Sequence, residues 1–86
     1  MVRIYDLRQK EIININDGSR LGFICDLEID MAEGCITHII VPGEGKVFGI
    51  FGNEQEYRIP WNCIVKIGDD IILVNIDVSK VLVNCE

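Results

Sequence analysis

Positive charge is scarce in this chain, and it is scattered. Lys and Arg number 8 against 14 Asp and Glu, a formal net charge of −6, and the sequence pI is about 4.6. Arg3, Arg8, Lys10, Arg20, Lys46, Arg58, Lys66 and Lys80 form no run that makes a basic stripe. A field of that sign repels phosphate backbones and anionic lipid headgroups alike, which disfavours direct nucleic-acid binding and membrane attachment. Long hydrophobic runs are missing as well. Ile39 to Val41 and Ile71 to Val74 are far shorter than the roughly 20 apolar residues that cross a bilayer as a helix, and the opening MVRIYDLRQK does not read as a signal peptide. A cytoplasmic location is expected, and with it a reducing setting in which Cys25, Cys35, Cys63 and Cys85 stay as free, buried thiols.

Catalytic side chains are equally sparse. His38 is the sole histidine and follows Cys35 by three residues, a separation that places the two on opposite faces of a strand and defeats a Cys-His pair. The same residues are a lone Cys-x-x-His with no second close pair, so no zinc spacing is recognised. Asp26, Glu28 and Asp30 form an acidic row, but an extended strand spaces them about 6 to 7 Å apart, which suits a solvated face better than a hard cation. Asp69-Asp70 reads as turn chemistry. The glycines make no GxGxxG or P-loop signature and no helix follows them, so nucleotide binding has no support. The chain is expected not to be an enzyme and to carry no metal or other cofactor.

Apolar residues are what it has in quantity. They make up 49% of 86 residues, with a mean hydropathy of +0.26. A domain this short buries a modest share of its surface, so part of this apolar material is expected to be shared with a protein partner, a second copy first of all.

Alternation with period two, interrupted by turn residues at short intervals, predicts an all-β fold. Arg3 to Leu7 reads as an edge segment and Glu11 to Ile15 as a short strand before the hairpin turn Asn16-Asp17-Gly18-Ser19. Arg20 to Asp30 reads as one strand, with Leu21, Phe23, Cys25, Leu27 and Ile29 on one side and Ile24 breaking the polar row on the other. Cys35 to Val41 is apolar on both faces, the mark of a strand covered twice or lying at an interface. Pro42-Gly43-Glu44-Gly45 makes a turn into Lys46 to Phe51, where Gly49 and Gly52 permit bending. Gln55 to Ile59 ends at Pro60, Trp61-Asn62-Cys63 forms a short helical turn, and Ile64 to Ile67 and Ile71 to Ile76 flank the turn Gly68-Asp69-Asp70. The prediction is a small closed or partly open barrel of about six antiparallel strands.

The order Leu7, Asp17-Gly18, Gly22, Asp26, Gly34-x-Ile36, Pro60-Trp61 and Ile64-x-Lys66-Ile67-Gly68-Asp69-Asp70-Ile71-Ile72-Leu73-Val74 resembles the PRC-barrel family over nearly the whole chain. The opening from Leu7 to Gly18 resembles the short sporulation-associated YlmC/YmxH group within it. That resemblance implies a barrel that docks onto protein. Residues 1–76 are expected to form it, with 77–86 as a C-terminal extension that adds a strand to the same barrel or crosses to another chain. The function expected is a self-associating adaptor of a sporulation-related process. Two other readings are a ribosome-associated or RNA-processing accessory acting through protein contacts, and a small metal-binding or redox module built on the cysteines. Phe48, Phe51, Tyr57 and Trp61 are the candidate contact residues, being aromatics near glycine-rich bends or at a barrel end. Trp61 is expected to cap the core, with a partially exposed partner anchor as the alternative.

Overall fold

The computed structural model describes residues 3–43 and 55–84. The chain opens with helix α1 (Ile4–Arg8) and continues through β1 (Glu11–Asn14), β2 (Arg20–Phe23), β3 (Asp26–Asp30) and β4 (Cys35–Pro42). Then come β5 (Gln55–Pro60), a single 3₁₀ turn (Trp61–Cys63), β6 (Ile64–Ile67), β7 (Ile71–Val74), helix α2 (Val78–Val81) and β8 (Leu82–Asn84). Strand dominates, and the predicted helical turn at Trp61 is present.

The barrel expectation needs correcting. The described residues hold eight strands rather than six, in two four-stranded sheets ordered β2-β1-β7-β6 and β3-β4-β5-β8, with no closed barrel among them. One pair is parallel: β1 runs beside β7 in the register Glu11 to Ile71 and Asn14 to Val74. Both ends of this pair are tied. The Glu11 N–H donates to the Asp70 carbonyl at 3.0 Å, and the Ile15 N–H donates to the Val74 carbonyl at 2.8 Å. Alternation along a strand is the same whichever way its neighbour runs, so period two carries no information on this point.

Two segments depart from the pattern read in the sequence. The segment read as an edge strand, Arg3 to Leu7, instead holds the N-cap and most of a helix, Ile4–Arg8. Asp6 accepts the Arg3 backbone N–H at 3.2 Å, the Leu7 N–H donates to the Arg3 carbonyl at 3.1 Å, and Leu7 alone of the helix is buried. Arg20 to Asp30 is two strands, one in each sheet. The chain turns at Ile24-Cys25, where Ile24 is 4% exposed while Phe23 is 50% exposed. The one residue that broke the polar row is thus the corner's inward anchor, and the alternation shifts phase there.

The core lies between the sheets. Ile12, Ile72 and Val74 from one and Ile39, Val41 and Ile59 from the other are fully buried, and Leu7, Ile24, Tyr57 and Ile76 join the same cluster. In β4 the consecutive residues Ile39, Ile40 and Val41 are all buried, as the two-sided apolar pattern predicts. The C-terminal segment returns to its own chain, with β8 pairing antiparallel to β5. Gly43 is required by close approach: a Cβ there would stand 2.8 Å from the Gln55 carbonyl oxygen. The expected strand Lys46 to Phe51 and the bends at Gly49 and Gly52 lie outside the described residues.

Candidate interaction surface

The outer face of the β2-β1-β7-β6 sheet is apolar where a half-exposed sheet is ordinarily polar. Register decides which residues stand there. Ile12 and Ile72 are partners and point inward, so their neighbours Ile13 and Leu73, also partners, point outward together with Ile71. Phe23 lies opposite Glu11 and joins this face from β2. On β6 an irregularity between Ile64 and Lys66 turns both Val65 and Lys66 outward, while Ile64 and Ile67 pack on the core. Phe23, Val65 and Ile71 are 50%, 56% and 38% exposed. Ile13 and Leu73 are half-buried without packing on the core cluster. Among the described residues of these strands, charge on this face is confined to Glu11, Arg20 and Lys66, and Arg20 pairs with Glu11 at 3.1 Å. Among the described residues no helix long and apolar enough to cross a membrane is present.

A groove between α1 and the β2–β3 corner is the second feature. One part, of about 260 Å³, is lined by Ile4, Arg8, Ile24, Cys25, Asp26, Leu27 and Ile29. It shares Arg8, Ile24 and Cys25 with an adjoining part of about 350 Å³ that reaches Phe23 and Pro42.

The polar groups of the other sheet are engaged with one another. Glu28 Oε1 accepts from Arg58 Nε at 2.8 Å and lies 3.2 Å from His38 Nδ1, and that nitrogen is also 3.0 Å from Thr37 Oγ1. The other acids of the row are used by their own strand ends: Asp26 accepts the Leu27 N–H, and Asp30 accepts those of Ala32 and Glu33. Strand parity misleads at Cys35 and His38. Cys35 is opposite Asp30 and His38 opposite Glu28, with a bulge between, so both lie on one face. They stand two partner positions apart, about 7 Å along the strand, and the Cys35 thiol donates instead to the Glu33 carbonyl at 3.5 Å.

Cys25, Cys35 and Cys63 are free, as expected, but Cys25 and Cys35 are exposed rather than buried. Partial burial of the sulfur, helped by the negative charges of Glu56 and Asp26, raises the pKa of the Cys25 thiol. The thiolate is the nucleophile, so Cys25 in the folded chain is expected to react more slowly with iodoacetamide at pH 8 than the same residue after unfolding in denaturant. Mass-spectrometric timing of the modification in the two states checks this. Among the described residues no three His, Cys, Asp or Glu side chains are grouped to hold a metal.

Of the candidate contact residues, Tyr57 is 9% exposed within the core. Trp61 is half-buried and packs on the same core from the 3₁₀ turn, the position of a cap. Phe48 and Phe51 lie outside the described residues. The strand reading passed over Asn14, which is fully buried. Its Nδ2 donates to the Ile76 carbonyl at 3.0 Å, while its Oδ1 accepts the Ile76 N–H at 3.1 Å and the Asn16 N–H at 3.2 Å. The side chain thereby imitates a strand partner for Ile76. The signal available was an Asn interrupting the apolar run Ile12-Ile13-Asn14-Ile15 at an inward-facing position. Nearby, Asp17 and Asp77 each accept from a serine two residues on, Ser19 and Ser79, and these hydrogen bonds hold both carboxyls below the usual aspartate range.

Comparison with known proteins places this two-sheet arrangement. The PRC-barrel domain matches residues 1–81. The chain belongs to the PRC-barrel family. One relative in Bacillus subtilis (strain 168), called probable sporulation protein YlmC, is 46% identical over 76 residues, covering 88% of this chain and 94% of that protein. An uncharacterised protein of Clostridium acetobutylicum is 46% identical over 71 residues, 83% of this chain and 80% of its own. YmxH of Bacillus subtilis (strain 168), also uncharacterised, is 38% identical over 77 residues, 87% of this chain and 89% of that protein. The resemblance read from the glycine, Pro-Trp and Ile-Gly-Asp-Asp elements is therefore the family relationship, and the PRC-barrel match takes in α1 and α2 as well as β1 to β7.

Proposed function

We propose that this chain is a non-catalytic adaptor that docks a protein, a second copy included, on the outer face of its β2-β1-β7-β6 sheet. The observation that carries the reading is the apolar outer row of Ile13, Ile71 and Leu73 on a sheet whose inner row already supplies the core. Large apolar side chains gathered on an open sheet face mark an interaction surface more often than single scattered ones do. The printed name of the YlmC relative supports a role in sporulation. A net charge of −6 favours protein over nucleic acid or anionic lipid as the partner.

The test is native affinity capture with the wild-type chain beside Leu73→Glu and Val65→Glu, each first checked for an unchanged circular dichroism spectrum. The wild type is expected to retain defined protein partners, its own chain among them, that both variants lose. An identical set on all three baits, or none on the wild type, would overturn the reading.

A further inference from the structure

The occupant of this face is decided by how its charges are arranged, and the inference rests on the docking reading above. Fourteen acidic residues stand on this chain, but the strands of this sheet bring one of them, Glu11, to its outer face, already 3.1 Å from Arg20. The outer face is accordingly one where another −6 chain meets little repulsion. By contrast, β3, at the edge of the other sheet, carries Asp26, Glu28 and Asp30. Pairing that edge with its own copy would bring like charges together.

Two rows cross the outer face. Phe23, Glu11 and Ile71 form one, and Arg20, Ile13 and Leu73 form the next. We infer that two copies stack these faces about a two-fold axis that runs across the strands between the rows. Such an axis lays each row over the other row of the second copy, with β1 over β1 and β7 over β7 in opposite directions. Ile71 then meets Leu73 of the second copy, and Leu73 meets Ile71. Arg20 comes over Phe23 and beside Glu11 of the second copy, so the ion pair that each chain makes within itself is repeated between chains. An isologous interface of this kind makes every contact twice, and Arg20 over the Phe23 ring adds a cation–π contact. Sheets stacked this way keep their strands within about 30° of one another and their planes about 10 Å apart.

The contact is small. Four strands of about four residues cover a footprint roughly 14 Å by 19 Å, well under the area of about 800 Å² per partner in a standard interface. The expected complex is a dimer in rapid exchange, with its midpoint between about 10 and 500 μM.

Charge reversal tests the arrangement. Glu11→Arg leaves the face with three cations, Lys66 included, and Arg20→Glu leaves it with two anions beside Lys66, so that neither variant can form the Arg20–Glu11 pairs and each alone is expected to be monomeric by sedimentation velocity at 500 μM. Mixed in equal amounts they should form a heterodimer, because each now presents the charge that the other lacks. Leu73→Glu, which alters no ion pair, should weaken wild-type association at least tenfold. A wild type that is monomeric at 500 μM, or charge variants that do not associate on mixing, would overturn the inference. Loss of captured partners by Leu73→Glu beside a monomeric wild type would remove the second copy as occupant and leave the docking reading standing. Retention of other partners by Leu73→Glu beside a wild-type dimer that this variant loses would leave the second copy as the one occupant of this face and place the other partners elsewhere.

Discussion

Replacing Asn14 with Ala is expected to destabilise the fold by about 3 kcal/mol, because it leaves both backbone polar groups of Ile76 unpaired in the core. Asn14 is fully buried, and its amide makes two hydrogen bonds that join the end of β1 to Ile76 after β7, and a third that accepts the Asn16 N–H in the turn after β1. Nothing apolar of the same shape can replace an amide that both donates to and accepts from one peptide unit. In a domain of this size the loss corresponds to a fall in Tm of roughly 12–24 °C, read by calorimetry or thermal circular dichroism. Asn14→Asp adds a sign. A carboxylate there keeps the acceptor for the Ile76 N–H but turns a second oxygen toward the Ile76 carbonyl, and burial raises its pKa above the unfolded value of about 3.9. The protonated form is the one the site tolerates. Stability of Asn14→Asp should therefore be greatest below about pH 4 and fall as pH rises, until the folded-state pKa is passed. A variant as stable at pH 7 as at pH 4 would show that the Ile76 carbonyl does not need a donor.

Adjacent residues of β7 should behave as opposites. Ile72 is fully buried against the core and Leu73 is half-buried on the outer face. Ile72→Ala is expected to cost 2–5 kcal/mol, from lost transfer free energy plus the cavity left behind, with the denaturant midpoint lowered and the m-value unchanged. Leu73→Ala should cost less than about 1 kcal/mol in dilute solution, where the chain is monomeric. Its effect belongs to association. Equal losses of stability at the two positions would mean that the outer face is already packed within the monomer, and the docking reading would lose its support.

How much of this was legible in the sequence can be followed residue by residue. The hairpin at Asp17-Gly18 was legible because a positive φ, 74° at Gly18, asks for glycine. So were the stop at Pro60 and the helical turn that follows, since proline ends a ladder. The family was legible from glycine order and the late Pro-Trp and Ile-Gly-Asp-Asp elements. The helix at Ile4–Arg8 was not, because five residues with one buried side chain carry too little periodicity to distinguish helix from strand. Nor was the bulge that brings Cys35 and His38 to one face, since a single extra residue leaves no mark on composition.

The proposed interaction surface was half legible. That apolar residues exceed what a small core needs follows from composition, and Ile71-Ile72-Leu73-Val74 shows apolar side chains on both sides of one strand. Aromatic residues drew attention because they anchor many interfaces, yet Tyr57 is used in the core and Trp61 packs upon it. The outward row of this sheet is instead mainly aliphatic.

By itself the sequence determined a strand-rich fold, the places where strands must stop, the sign of the field around the molecule and the family. These are properties of local backbone preference and of summed charge, which do not depend on what each strand meets. Tertiary structure decided that the strands divide into two sheets at Ile24-Cys25, that β1 lies parallel to β7, and that Ile13, Ile71 and Leu73 share one open face beside Glu11 and Arg20. Pairing between residues some 60 positions apart fixes that face, and no local pattern records which distant strand a segment will find.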